Sequence, residues 1–166
     1  MRQRRSVYER VRIIFCQVGV LLLLVGLCTK VNDGDTITVR AGQQYIRVRL
    51  ASIDAPEFTQ DYGQEARLFL NRLCYRQKVS LLPLEKDAYG RTVARVYLPD
   101  GRDVSKEMVG KGYAWYFRNY HEDRELAGLE RQARSARLGL WSQDKPQPPW
   151  QWRRQHPREE RRSPPR

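Results

Sequence analysis

The sequence predicts a mainly β member of the α+β class, built as a partly open barrel. Two neighbouring segments, 36–40 and 45–50, alternate apolar and polar residues on either side of a glycine turn, which is typical of paired strands. Two more short apolar segments, 78–84 and 92–98, are each followed by a turn rich in Asp and Gly. A single helical pattern at 64–75 lies between the two pairs, which fits a barrel better than a parallel sheet.

Three helices are expected to pack on the barrel. The first, at 64–75, has its apolar residues on one face, and two more are expected at 103–111 and 122–136. The residues that would seal the barrel are Ala66, Phe69, Leu70, Leu73, Cys74, Val104, Met108, Val109, Leu126, Leu129 and Ala133.

Length and charge indicate one domain with basic appendages. The chain has 166 residues and a formal charge of +12. Residues 1–12, 13–141 and 142–166 each carry a net charge of about +4, so the ends hold two-thirds of the excess. A basic chain suits a polyanionic partner, but a weakly positive core does not establish one.

The N-terminus is typical of a targeting segment. Five arginines within residues 1–12 precede an apolar run at 13–28, as in secretory signals. The run is at the short end for a membrane span, which needs about 20 residues. We expect 1–23 to be a signal peptide or membrane anchor, with membrane contact through 13–28 and a secreted or periplasmic location. The alternative is a buried core helix.

The cysteines predict no disulfide framework. Cys16 and Cys28 lie in the apolar run, which leaves Cys74 alone in the body of the chain. We expect Cys74 to be a buried, small apolar residue.

Two acidic turns flank the first pair of predicted strands. Their sequences are DGD at 33–35 and DAPE at 54–57. Antiparallel pairing of the intervening strands would return the second turn to the side where the first began. The carboxylates of Asp35, Asp54 and Glu57 could then converge.

These residues have the chemistry of a metal site. Hard cations take carboxylate, carbonyl and water oxygens as ligands, and Pro56 favours an extended Ala55 whose carbonyl can serve as one. Glu57 could accept a proton from, or orient, a metal-bound water. Arg47 or Arg49 lies close by, and Arg49 has the parity to face one end of the site. The alternative is a hairpin turn and a loop without chemistry.

Three ordered motifs resemble the thermonuclease (staphylococcal-nuclease-like) family. They are DGDT at 33–36, RLASIDAPE at 49–57 and DAYGR at 87–91, within a match over 24–141. The resemblance implies a five-stranded OB-type barrel with three helices, domain bounds of 24–141, and a monomer. It also implies calcium-dependent cleavage of DNA and RNA that leaves 3′-phosphate ends.

The resemblance also implies roles for individual residues. Asp35, Asp54 and the Ala55 carbonyl fall on the calcium ligands, Glu57 on the catalytic glutamate, Arg49 and Arg91 on the phosphate-binding arginines, and Tyr89 on a tyrosine near the phosphate. Two positions depart from the family. Ala55 replaces a threonine, which is tolerable if only its carbonyl binds metal. Ala88 stands where some relatives carry a lysine beside the substrate phosphate, so we expect weaker binding of one terminal phosphate.

An aromatic segment at 113–120 is a candidate for contacts with bases. Aromatic side chains beside a basic groove stack bases of single strands, at about 1–3 kcal/mol per base. We expect core packing for Trp115 and Phe117 and substrate contacts for Arg118 and Tyr120. The last two resemble positions near the family's base-binding side, where Arg118 replaces a tyrosine.

The C-terminal residues 142–166 are rich in Pro, Arg and Gln and predict a disordered basic tail. The segment PPWQWRR at 148–154 is an exception, because its tryptophans could dock on the barrel. At the other end, the family's first strand can only be drawn from 24–31, so we expect 25–31 to be folded and any cleavage to fall near 20–23.

Two other functions compete with a nuclease. The first is a non-catalytic OB-type nucleic-acid-binding module, which is disfavoured because the five charged site residues are all present. The second is a membrane-tethered structural protein, supported only by the N-terminal run. Neither a zinc-ligand spacing nor a phosphate loop occurs in the sequence.

Overall fold

The computed structural model describes residues 11–16, 19–118 and 122–157. The strands are β1 (Val11–Cys16), β2 (Gly19–Val31), β3 (Thr36–Ala41), β4 (Gln44–Leu50), β5 (Ile53–Asp54), β6 (Lys78–Lys86), β7 (Thr92–Tyr97) and β8 (Trp115–Tyr116). The helices are α1 (Gly63–Cys74), α2 (Val104–Gly110), α3 (Arg124–Ser135), a 3-10 helix (Gly139–Ser142) and α4 (Pro149–Gln155). The predicted mainly β class is confirmed.

Five strands close into a barrel in the order β2-β3-β4-β7-β6, and β6 pairs back onto β2. The neighbours are antiparallel except for β4 and β7, where Val48 lies opposite Thr92 in a parallel pair. In the pair that closes the barrel, β2 and β6, Leu24 lies opposite Leu81. Closure leaves no long unpaired strand edge in the barrel. The predicted five-stranded OB-type barrel is therefore confirmed.

The β3–β4 hairpin forms where the alternation predicts it. Because side chains alternate across a strand, Ile37 and Val39 of β3 and Val48 and Leu50 of β4 all face the interior and are buried. Arg49, between the last two, emerges on the opposite face. The hydrophobic pattern thus fixes the register of the hairpin and the direction of its arginine.

The three predicted helices are present, with ends within two residues of their expected positions. Helix α1 packs Ala66, Leu70 and Cys74 into the core. Asp103 and Asp123 cap α2 and α3, since each carboxylate accepts hydrogen bonds from two backbone amides of the first turn.

The C-terminal region is more ordered than the sequence predicts. Residues 142–157 are folded, and α4 overlaps the segment at 148–154 that the sequence sets apart from the tail, while 158–166 lie outside the described residues. Trp150 anchors the helix, with its ring 5.6 Å from that of Trp115 and 5.7 Å from that of Phe117. Apolar burial of an aromatic ring offsets the entropy of ordering such a segment.

The apolar N-terminal run is extended rather than helical. Strand β1 and the first part of β2 form an antiparallel hairpin, in which Val11 lies opposite Leu24. Strand β2 continues into pairs with β6 and then with β3, where the register shifts between Cys28 and Lys30, so this part of its backbone is held extended. Within the described residues, no helix has the length and apolarity to span a membrane. The signal or anchor function of 1–23 stays a prediction.

Cys74 is not the single cysteine of the core. Cys28, in β2, is also fully buried and belongs to the same apolar cluster. Burial raises the pKa of the Cys28 thiol to about 11, and burial likewise raises the pKa of Cys74. Both thiols are free. The end of the apolar run thus serves as core, as expected for residues 25–31.

A chain that begins at Thr29 should be less stable than one that begins at Leu22. The shorter chain lacks the residues of β2 that pair with β6, and it lacks the buried Cys28. We expect a loss of at least about 2 kcal/mol, since exposed strand edges add to lost apolar burial. Urea unfolding of the two chains measures the difference. Equal midpoints and slopes would show that these β2 residues are dispensable.

Candidate active site

The two acidic turns meet at one end of the β3–β4 hairpin. The Leu50 amide donates to the Asp35 carbonyl over 2.8 Å, which ties the end of β4 to the turn at 33–35. The turn at 54–57 follows at once, and its first residues form β5, which pairs with β8. The predicted approach of the two turns is therefore seen in the fold.

Arg49 joins the two turns by bridging their aspartates. Its guanidinium donates one hydrogen bond to Oδ2 of Asp35 and another, of 3.2 Å, to Oδ1 of Asp54. The Arg49 side chain is 14% exposed, and the side chains of Asp35 and Asp54 are 8% and 1% exposed. Carboxylates this buried require a charged partner, so Arg49 holds together two turns that would otherwise repel each other.

The three aspartates of the site differ in their affinity for protons. Burial alone would raise the pKa of Asp35, but the charge of Arg49 and several hydrogen bonds hold that pKa below its ordinary value. Burial raises the pKa of Asp54, against hydrogen bonds from Arg153. Burial and the neighbouring Asp35 charge raise the pKa of Asp33 to about 6. Asp35 is thus the carboxylate most firmly held in its ionised form.

A glycine allows the first acidic turn to press against the second. A Cβ atom at Gly34 would lie 2.7 Å from the Cβ of Ala55 and 3.0 Å from the Cβ of Ala66 in α1. The Ala55 amide also lies 3.5 Å from Oδ2 of Asp35. The DGD sequence therefore places Asp35 beside the Ala55 backbone, where the resemblance puts a carbonyl ligand.

The turn between β6 and β7 brings Arg91 to the same place. The Asp87 carboxylate accepts from the amides of Tyr89 and Arg91, each over 2.9 Å, and from Nε of Arg91 over 2.6 Å. One terminal nitrogen of Arg91 reaches Oγ1 of Thr36, 3.4 Å away in β3. Tyr89 is 85% exposed, and its ring lies 5.5 Å from the Arg91 guanidinium.

One open cavity of about 540 Å³ collects most of the predicted site residues. Its walls include Asp35, Arg49, Ala55, Glu57, Tyr89 and Arg91, together with Asp33, Arg47, Arg153 and His156. Asp54 lies beneath the wall. Arg118 lines a separate cavity beside Tyr116, and Tyr120 lies outside the described residues.

Arg153 of α4 is a site residue that the sequence interpretation missed. Its guanidinium donates to Oδ2 of Asp54 over 2.7 Å, to Oδ1 of Asp54 over 3.2 Å and to Oε1 of Glu57 over 2.9 Å. The sequence interpretation expected the segment at 148–154 to be able to dock on the barrel but gave Arg153 no role in the site. The tryptophans beside it were the available signal, since a docked Trp150 places the next turn of α4 over the site.

The donor atoms at the site suit a hard cation. Among the residues that the structure describes, no group of three or more His, Cys, Asp or Glu side chains is arranged to hold a metal. The buried carboxylate of Asp35 nevertheless lies with Ala55 in the wall of an open cavity, and the buried Asp54 is joined to Asp35 through Arg49. Carboxylate and carbonyl oxygens completed by water are ligands that calcium accepts.

Comparison with sequence models of known protein families assigns the chain to one family. The sequence model of the family described as staphylococcal nuclease homologue matches residues 47–143, more than half of the chain. The chain belongs to this family. The matched range contains Arg49, Asp54, Glu57 and Arg91, and it begins after Asp35.

Individual relatives match over most of their length. An uncharacterized endonuclease of Escherichia coli O157:H7 is 41% identical over 128 residues, covering 77% of this chain and 84% of that protein. A micrococcal nuclease of Shigella flexneri is 44% identical over 139 residues, with coverage of 78% and 80%. The predicted family is confirmed. Together these findings indicate a phosphodiester-hydrolysing nuclease, the enzyme class that the sequence predicted, and staphylococcal-type nucleases generally depend on a metal ion.

Replacing Gly34 with alanine should destabilise the protein, because the added Cβ meets Ala55 and Ala66 at 2.7 and 3.0 Å. Overpacking of this kind costs about 1–3 kcal/mol. Gly128→Ala is the matched control. Its Cβ meets nothing closer than 3.9 Å and lies within α3, where alanine favours the helix by about 0.5–1 kcal/mol. The melting temperature should fall in Gly34→Ala and rise in Gly128→Ala. An unchanged melting temperature in Gly34→Ala would refute the close contact.

Proposed function

We propose that this chain is a calcium-dependent nuclease that hydrolyses phosphodiester bonds of both DNA and RNA. Hydrolysis would break the bond between phosphorus and the 5′ oxygen, leaving 3′-phosphate and 5′-hydroxyl ends. The observation that most supports this is that one open cavity is lined by both kinds of group that the reaction needs. Acidic residues serve the metal ion and the water, and basic residues serve the phosphate. Selectivity between nucleic acids should be low, because these groups suit the phosphate backbone rather than base edges.

Asp35, Asp54 and the carbonyl of Ala55 would hold the calcium ion. When bound, calcium supplies a Lewis acid for a phosphate oxygen and lowers the pKa of a coordinated water. The protein's own contribution is two buried carboxylates kept in position by Arg49, which also neutralises part of their charge.

Glu57 would act as the general base, or as the group that orients the attacking water. Its side chain lies in the cavity wall and is 28% exposed, so it can reach solvent and substrate. As the water oxygen bonds to phosphorus, the water proton passes to Glu57. The 5′ oxygen leaves with the bonding electron pair and takes up a proton.

Arg49 and Arg91 would bind the non-bridging oxygens of the phosphate. Both are held in place by carboxylates, Arg49 by Asp35 and Asp54, and Arg91 by Asp87. Donors fixed before the reaction stabilise the negative charge that develops in the transition state. The planar guanidinium allows a two-point contact with phosphate that an ammonium group cannot make.

We also propose that the protein is exported, either released or held by its N-terminus. The basic start and apolar run support this. Because β2 pairs with β6 from Leu24 onward, cleavage should leave Leu24 and the residues after it in the chain. Any cleavage should therefore fall upstream of Leu24. N-terminal sequencing of the protein recovered outside the cytoplasm would test this, and a start at Thr29 or beyond would contradict it.

Activity should require calcium. With calcium present, the protein should release acid-soluble nucleotides from DNA and from RNA, and excess chelator should abolish the release. Asp35→Ala should remove activity and calcium binding together, whereas Asp144→Ala, at a side chain that is 96% exposed, should change neither. Undiminished digestion in chelator would refute the calcium assignment. Binding of DNA without cleavage, under all conditions, would instead favour the non-catalytic module.

Arg91→Lys should lower turnover much more than stability. Loss of one fixed donor to transition-state charge typically costs about 100-fold to 1,000-fold in kcat, and lysine keeps the charge but not the planar grip. Arg102→Lys is the control, because Arg102 is half-exposed and pairs with Asp100 and Glu107 away from the cavity. Single-turnover assays and thermal melts of both variants give the comparison. Wild-type turnover in Arg91→Lys would exclude the proposed transition-state contact.

A further inference from the structure

Helix α4 places a positive charge on the carboxylate that the proposed calcium site needs. Arg153 contacts both oxygens of Asp54, at 2.7 and 3.2 Å, and one oxygen of Glu57, at 2.9 Å. Arg49 shares Oδ1 of Asp54 from the other side. Asp54 is thereby covered, with 1% of its side chain exposed.

A calcium ion and the Arg153 guanidinium compete for Asp54 in this arrangement, where Arg49 already takes up part of Oδ1. Both are cations that require the same carboxylate oxygens, and at contact distance their mutual repulsion is large in a partly buried site. The two-pronged contact of arginine with one carboxylate leaves no oxygen of Asp54 without a donor. Calcium binding at Asp54 is therefore opposed for as long as Arg153 stays in contact with it.

Contacts that do not involve the Arg153 guanidinium hold α4, and the residues just before it, close to the site. Trp150 packs on Trp115 and Phe117, and the side-chain amide of Gln60 donates to the carbonyl of Gln147 over 2.6 Å. A group tethered in this way competes at a high effective concentration. Because this contact is intramolecular, the competition between Arg153 and calcium does not depend on the protein concentration.

We propose that Arg153 is a built-in counter-cation that occupies the metal carboxylates and is displaced when calcium binds. This rests on the proposed function, because it assumes calcium at Asp35 and Asp54. The C-terminal helix thus sets the calcium concentration at which the site becomes loaded. Glu57 loses its contact with Arg153 in the same step.

Calcium titration calorimetry of the full chain and three variants tests this directly. Arg153→Gln should bind calcium at least about tenfold more tightly than the wild type, equivalent to about 1.4 kcal/mol. Arg153→Lys should lie between them, since it keeps the charge without the two-point contact. Arg154→Gln removes a neighbouring exposed arginine and should match the wild type, which controls for a general change in charge.

Thermal unfolding provides a second measurement that does not depend on activity. In chelator, Arg153→Gln should melt below the wild type, because a buried Asp54 loses one of its two cationic partners. Calcium should then raise its melting temperature more than that of the wild type. Equal calcium affinities in wild type and Arg153→Gln would overturn the counter-cation role while leaving the calcium site standing. No calcium binding in any of the four proteins would overturn both proposals.

Discussion

The buried pairing of Arg49 with Asp35 and Asp54 is the interaction on which the rest of the structure depends. The two aspartates come from turns that flank the β3–β4 hairpin in sequence and meet at one end of it, and without a cation between them their approach would be unfavourable. Arg49 reaches them because Val48 and Leu50 on either side face the core. The residues that stabilise the fold and those that form the site are therefore set by one alternation, and a register shift would lose both.

Much of this was predictable from local pattern. The alternation in 36–40 and 45–50 indicated the hairpin, and the hairpin indicated that the acidic turns would meet. The ordered motifs then indicated the family and which side chains to examine. Arg91 could be assigned from its motif, but its fixation by Asp87 and its contact with Thr36 became visible only in three dimensions.

What local pattern could not predict depends on contacts between distant residues. Strands β5 and β8 have two residues each, too few for alternation to appear, and they exist because they pair with each other. Helix α4 has a composition typical of disorder and is ordered by Trp150 resting on Trp115 and Phe117. The apolar run at 13–28 suits a helix or a strand equally well by composition. The pairing of its last residues, from Leu24 onward, with β3 and β6 decides in favour of a strand there.

The closing pair of the barrel has a consequence for the order in which the protein folds. Of the five barrel strands, β2 is synthesised first, yet Leu24 pairs with Leu81, far along the chain. Contacts between such distant segments form slowly, because a long loop must close before they contribute. The β3–β4 hairpin and the meeting of its acidic turns involve near neighbours, so they can form while β2 still lacks its second partner. The barrel strand made earliest is thus the one whose pairing is completed late, and during that interval its apolar residues need protection from aggregation.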